Sequence, residues 1–346
     1  MSEYRYNLIT DQWVIIAGDR GKRPTDFQST EEMKNPDFDK TCPFCPGCET
    51  MTPPETFAIR PDDSPPDTPG WIVRVVPNKY PALNPVDNQV DTDFPLKQRP
   101  GAGRHEVIIE SPYHNICMGH HEPDQAALIC QVLRDRYRHF AQNIDQNKLI
   151  TIFYNHGASS GASLSHPHFQ LLTQSVIPPR LLYLLQHCRQ YRQQHSRSVF
   201  DVVIEAELDA AERILTCTND FIVFCPFASR SPFEIYLLPR FEQPHLDQLD
   251  DAVLKSFSEI LQQTLRCMDE RLKCPDYNMV FHTAPLSCHS ERSEESHSYK
   301  NNHLGFRWFL QICPRIGITG GFELATDVFI NTVPPETAAQ FYNEKI

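Results

Sequence analysis

The chain has 346 residues, enough for two domains or one duplicated domain at roughly 150 residues each. Apolar residues make up 40% of it, which supports a packed core and excludes a disordered chain. It carries 32 Lys and Arg against 44 Asp and Glu, a net charge of −12. With no basic run, this excludes a bulk nucleic-acid binder but leaves room for a local basic pocket around a phosphorylated small molecule.

The opening MSEYRYNLITDQW is polar, with no signal-peptide core, and no segment approaches the ~18 apolar residues needed to span a bilayer. The expectation is a cytoplasmic protein without membrane or nucleic-acid partners, its 12 Cys mostly reduced. Trp13–Ala17 and Trp71–Val76 read as short strands, with a turn at Pro77–Pro81. Proline density between Pro53 and Pro69 forbids long helices there, so this loop-rich region needs something other than its own core to hold it.

A pattern then appears twice. Glu106–Glu110 reads as a strand closed by Pro112, followed by a helix from about Pro123 to Asn143, a strand Leu149–Tyr154, a Gly/Ser loop and the segment His166–Leu172. In the second half the same order runs through Phe233–Leu238, Pro239, a helix from about Asp247 to Met268, Tyr277–Phe281 and Arg307–Cys313. The Pro239-to-Phe309 interval exceeds the Pro112-to-His166 interval by 16 residues, the length of the polar stretch 287–302. These spacings predict an α+β fold made of a duplicated unit, two antiparallel-sheet halves with packed helices. The halves fall at 1–177 and 178–346, with an exposed insertion at 287–302. Cys288, His289, His297 and His303, in or beside the insertion, read as sequence bias rather than a metal tract.

The chemistry concentrates in Asn155-His-Gly-Ala-Ser-Ser-Gly-Ala-Ser-Leu-Ser-His-Pro-His-Phe-Gln170. Small residues from 157 to 163 would let backbone N–H groups approach a phosphate. Alternation along a strand would turn His166, His168 and Gln170 to one face. A neutral imidazole at His168 could attack phosphorus, and Gln170 could donate to a phosphoryl oxygen as charge builds. The bland reading, a solvated edge strand with two ordinary histidines, explains neither the loop nor the glutamine. Cys42-x-x-Cys45 is half a tetrahedral zinc site, and its usual rival is a redox pair. That rival wants a strand–helix context, which a Pro-rich stretch does not offer.

The run NHGASSGASLSHPHFQ strongly resembles the active-site segment of galactose-1-phosphate uridylyltransferases, members of the histidine-triad superfamily. The resemblance extends through YNLITDQWVIIAGDRGKRP, CPFCPG, VPNKYPAL and GFELATDVFINTVPPETAA, nearly the whole chain. It implies that His168 is a nucleophile that takes UMP from a UDP-hexose and passes it to a hexose-1-phosphate by ping-pong kinetics. Gln170, where superfamily hydrolases usually carry a third His, points to transfer. Asn155, Gly161 and Ser163 match phosphate and nucleotide contacts; Arg20, Arg23, Asn78 and Glu323 match weaker ones, some of them supplied across a homodimer. For the metal, the resemblance adds His114 and His166 to Cys42 and Cys45, one structural zinc tying the N-terminal region to the catalytic strand. Some members carry a second, iron-type site with paired His, but the matching strand here reads Phe309-Leu-Gln311-Ile-Cys313, so no second metal is expected. The leading expectation is UDP-glucose with galactose-1-phosphate in galactose metabolism. The alternatives are an ADP-glucose phosphorylase or other adenylyltransferase of the same family, and a catalytically silent nucleotide-binding scaffold.

Overall fold

The structure, a computed structural model, describes residues 1–20, 36–61, 63–86, 95–143, 147–286, 305–317 and 319–344. Arg23 and the predicted insertion at 287–302 lie outside the described residues. In chain order, a hairpin β1 (Glu3–Asn7) and β2 (Gln12–Ile16) precedes β3 (Phe57–Ile59), β4 (Val73–Pro77), β5 (Gly103–Ile109), α1 (Pro123–Ala141), β6 (Leu149–His156) and β7 (His168–Gln174). Two helices, α2 (Pro179–His195) and α3 (Val199–Ala210), lead to β8 (Ile214–Cys217), β9 (Phe221–Phe224), β10 (Ile235–Pro239), α4 (Asp251–Leu272), β11 (Tyr277–His282) and β12 (Phe309–Pro314). The chain closes with α5 (Gly321–Thr326), β13 (Phe329–Asn331) and α6 (Pro335–Asn343).

The long helices start where local chemistry lets them. Pro123 begins α1, a position where its missing N–H costs nothing, and Arg138 and His139 sit in the last turn against the negative end of the helix dipole. The second long helix starts later than the sequence spacing suggests. Leu246–Gln248 forms a separate 3₁₀ turn, and Asp250 caps α4 by accepting the Val253 N–H at 2.8 Å. Both helices bury apolar faces, α1 through Ile129, Leu133 and Tyr137 and α4 through Phe257, Leu261 and Leu265. They share one core with the underlying strand residues Ile152, Phe169, Met279 and Leu310.

Ten strands form one antiparallel sheet in the order β3-β4-β5-β7-β6-β11-β12-β10-β9-β8. The order reads the same from both edges once each strand is exchanged with its copy, and β6 against β11 forms the seam. The registers fix the relation residue by residue. Phe153 faces Val280 across the seam. Gln170 stands between Phe153 and Val107, as Gln311 stands between Val280 and Tyr236. The duplicated unit therefore also includes an N-terminal hairpin, β3–β4 in one copy and β8–β9 in the other. The registers pair Phe309 with His168, two residues further along than the sequence spacing placed it. A separate small sheet joins β1 and β2 to β13, which runs parallel to β2.

Candidate active site

β7 alternates as a half-covered strand should. Phe169 and Leu171 point into the helix-packed core, while His168 and Gln170 face the other side. The strand begins at His168, so His166 lies just ahead of it, beyond Pro167, and the Phe44 ring meets both histidines. His166 is fully buried in a group with Cys42, Cys45 and His114 whose donor atoms all lie within 4.8 Å of one another. Cys45 Sγ is 3.3 Å from His114 Nδ1 and 3.6 Å from His166 Nδ1, and Cys42 Sγ is 3.8 Å from His166 Nδ1. A tetrahedron with metal–ligand bonds of about 2.0–2.3 Å has edges of about 3.3–3.8 Å, so the four groups fit a zinc-type ion.

The surrounding contacts support that fit. His166 Nε2 donates to the Ser111 carbonyl at 2.9 Å and His114 Nε2 meets Ser165 Oγ at 2.9 Å, which leaves both Nδ1 atoms facing the sulfurs. Burial holds His166 neutral, its pKa lowered to about 4. The Phe44 N–H donates to Cys42 Sγ and the Asp39 N–H to Cys45 Sγ, both at 3.4 Å. Burial pushes the Cys42 thiol up to about 12, so paired thiolates in this position call for a cation. Cys48 turns away, its thiol reaching the Lys40 carbonyl. A second group, Cys117, His120 and Asp269, also gathers donor atoms, but His120 Nε2 already pairs with Asp269 at 3.1 Å, which raises the pKa of the histidine.

His168 is only 6% exposed. Its Nδ1–H donates to the His166 carbonyl at 2.8 Å, leaving the lone pair on Nε2. Burial lowers its pKa, the His166 carbonyl and Glu110 opposing, so the ring is neutral and nucleophilic at physiological pH. The ring of Phe44, from between the two cysteines, stands edge-on to His168 at 5.2 Å. The Cys42–Cys45 loop and His168 are thus packed as one unit.

Gln170 has a partner that the sequence reading did not single out. Its Oε1 lies 2.9 Å from His105 Nε2, on β5. The Ala82 N–H points at His105 Nδ1 at 3.3 Å, so the proton sits on Nε2 and the histidine donates to Gln170. This fixes the amide with its NH₂ turned away from His105, free to donate to an oxygen beside His168. Asn78 lies beside the group, its Nδ2 3.3 Å from His105 Nε2, but with the proton on Nε2 both are donors and they share no hydrogen bond. The only sequence signal for His105 is a polar residue on the open face of a strand, two residues from Val107, which pairs with Gln170.

The loop after β6 departs from the expected phosphate cradle. The Ser159 N–H donates to Asp276 at 2.7 Å, and the amides of Ser160, Gly161 and Ala162 bond back to Gly157 and Ala158. Those four N–H groups are already engaged, three within the loop and one by Asp276. Asn155 accepts from Asn278 at 2.8 Å, and Ser163 is exposed. Gly157 has φ +79°, and a Cβ there would lie 1.7 Å from Asp276 Oδ1. One of the weaker candidates is not brought to this cluster. Glu323 stands in α5, where its carboxylate accepts the Gly320 N–H at 2.9 Å, apart from the large sheet. Arg20 ends a short 3₁₀ turn, Gly18–Arg20.

Comparison with known proteins decides what this arrangement belongs to. The N-terminal domain of galactose-1-phosphate uridyl transferase matches residues 1–178, and the C-terminal domain matches residues 184–307. The chain belongs to this family. Among its relatives, ADP-glucose phosphorylase of Arabidopsis thaliana is 32% identical over 99% of this chain and 92% of its own. The galactose-1-phosphate uridylyltransferase of Thermotoga maritima is 26% identical over 99% and 98%. The crystal structure of the Arabidopsis phosphorylase with bound ADP-glucose superposes with a TM-score of 0.78, at 30% identity and full coverage of both chains. The family is enzymatic and acts on nucleotide sugars and sugar phosphates. Among the described residues, no helix is long and apolar enough to cross a membrane.

Proposed function

We propose that the protein transfers a nucleoside monophosphate from a nucleoside-diphosphate hexose through a covalent intermediate on His168. The observation that carries this is the pair on β7, a neutral buried imidazole with Nε2 free and, two residues on, an amide whose NH₂ is held free by His105. His168 Nε2 attacks the α-phosphorus, forming a P–N bond as the bond to the bridging oxygen breaks, and hexose-1-phosphate departs with that oxygen. Gln170 donates to a phosphoryl oxygen as charge collects. A phosphate oxygen of the acceptor then attacks the same phosphorus, the P–N bond breaks, and neutral His168 is restored. Metal bound by Cys42, Cys45, His114 and His166 would supply a rigid cross-link rather than chemistry, since four protein ligands leave no open position.

ADP-glucose as donor with inorganic phosphate as acceptor is the pair to test first. Full-length similarity to an ADP-glucose phosphorylase supports it. The second reading is uridylyl transfer between UDP-glucose and galactose-1-phosphate, favoured by the family's own domains and by the Thermotoga relative. Both predict an adduct on His168 when donor is supplied without acceptor, AMP from ADP-glucose or UMP from UDP-glucose, seen by mass spectrometry. Side-by-side turnover of the two donors separates the readings. An active protein whose His168→Ala variant kept full exchange would overturn both.

A further inference from the structure

The copy of the catalytic strand in the second half does not face a packed interior. It floors a cavity of about 740 Å³. The relation fixed by the registers sends His168 to Phe309, Gln170 to Gln311, Asn155 to His282, Phe153 to Val280 and Val107 to Tyr236. All five of these mates line the cavity. It therefore occupies in the second half the place the candidate active site occupies in the first.

Its chemistry differs in three ways. Phe309 offers no nucleophile where His168 stands. Gln311 is held at both ends of its amide, accepting from His282 Nε2 at 2.8 Å and donating to Glu234 at 2.5 Å, so its NH₂, unlike that of Gln170, is already engaged by a carboxylate. Two guanidinium groups supply charge in its place, Arg230 inside and Arg180 at the exposed mouth. Arg230 stacks over Phe329 at 3.9 Å and approaches Asp327 no closer than 3.9 Å, while Arg180 donates to Gln12. The other lining carboxylate, Asp11, accepts from the Tyr6 and Tyr183 hydroxyls. Burial, and after it the charge of Arg230, lowers the Arg180 pKa. Apolar walls from Trp13, Val280 and Phe309 offer faces for a ring.

We propose that this cavity is a second, non-catalytic binding site for a nucleoside phosphate, which holds its phosphate at Arg180 and Arg230 and its ring against the apolar wall. The size suits such a ligand, since small-molecule pockets run from about 300 to 1,000 Å³. The ligand class rests on the proposed function; the cavity and its charge do not.

The test counts ligands on the full chain. ADP is titrated calorimetrically into His168→Ala, which forms no adduct, and into His168→Ala combined with Arg230→Met. The expected result is one equivalent of ADP per chain fewer in the second protein. Arg180→Ala, at the exposed mouth where folding is not at risk, should weaken that same equivalent at least about tenfold. Inorganic phosphate alone should compete for it. In the wild-type background, Arg180→Ala and Arg230→Met should leave turnover at saturating donor unchanged, since neither residue lies on β7 with His168 and Gln170. An unchanged ADP count in both Arg variants overturns the proposal, as does a solution dimer in which the partner subunit shields Arg180 from ligand. Turnover of ADP-glucose and UDP-glucose is measured separately. An active enzyme with one ADP per chain sinks the second site alone. An inactive protein that still loses an ADP equivalent with Arg230→Met sinks the proposed function alone.

Discussion

The two halves of the central sheet carry the same backbone and opposite chemistry. In one half Gln170 is held from one side by His105 and keeps its NH₂ free beside His168; in the other Gln311 is held from both sides beside Phe309. The contrast extends to what anchors each strand. His166, ahead of β7, belongs to the Cys2His2 group. Its mate, Arg307, pairs with Asp201 and donates to the Pro239 carbonyl. A duplicated strand register is therefore not enough for a reaction. The chemistry follows from which hydrogen-bonding groups remain unpaired once the scaffold has satisfied itself.

The strongest way to break this comparison is at the nucleophile. His168→Ala should lower turnover at least about 10³-fold and abolish the adduct. The reciprocal change F309H should create no adduct on residue 309, because the neighbouring NH₂ is already engaged by Glu234. Mass spectrometry of both proteins after donor incubation reads the result. Next in size is the metal group. Cys45→Ser or prolonged chelation should cost several kcal/mol of stability, seen as a lower melting temperature and one fewer metal equivalent per chain. Gln170→Ala should slow turnover by roughly 10² to 10³ with little change in donor binding, as expected for a donor that acts as charge builds. His105→Ala should cost about tenfold, the worth of one positioning hydrogen bond. In a Gln170→Ala background the same change should cost almost nothing, and additive losses would place His105 outside this pathway.

The smallest effect is on pH. His282, partly buried and neutral, has its pKa lowered by desolvation to about 4 against an unfolded value of about 6.5. The unfolded chain binds the proton more readily, so stability from this group is complete above about pH 6.5, erodes as pH falls, and is gone below about 4. His282→Gln should flatten that slope in denaturant melts between those limits. Activity follows His168 with the same sign: its lowered pKa keeps the rate on a plateau through neutral pH, with loss only on the acid side.

Much of this was legible before folding. Proline-closed strands and two helices of matching order gave away the duplication, because each copy must repeat the same alternation to bury one face. Cys42 and Cys45 were visible by spacing, whereas His114 came only from family resemblance, since a single histidine after a turn carries no signature. His105 was not legible because its role exists only in the register of β5 on β7. The phosphate-cradle expectation failed at Ser159 to Ala162 because Asp276, more than a hundred residues away, takes the Ser159 N–H and organises the turn. The helices α2 and α3 and the parallel β2–β13 pair were not singled out, for they lie outside the repeat that made the rest readable.

That Asp276 contact bears on how such an enzyme can be divided. The aspartate belongs to the second copy, yet its carboxylate clamps the turn that leads into the nucleophile's strand and fills the space a side chain at Gly157 would need. A gene split between the copies would release a first fragment with every reacting group intact and its turn unclamped. On the proposed mechanism, activity would return only on reassembly with the fragment bearing Asp276, which would make the second copy a built-in subunit of the first.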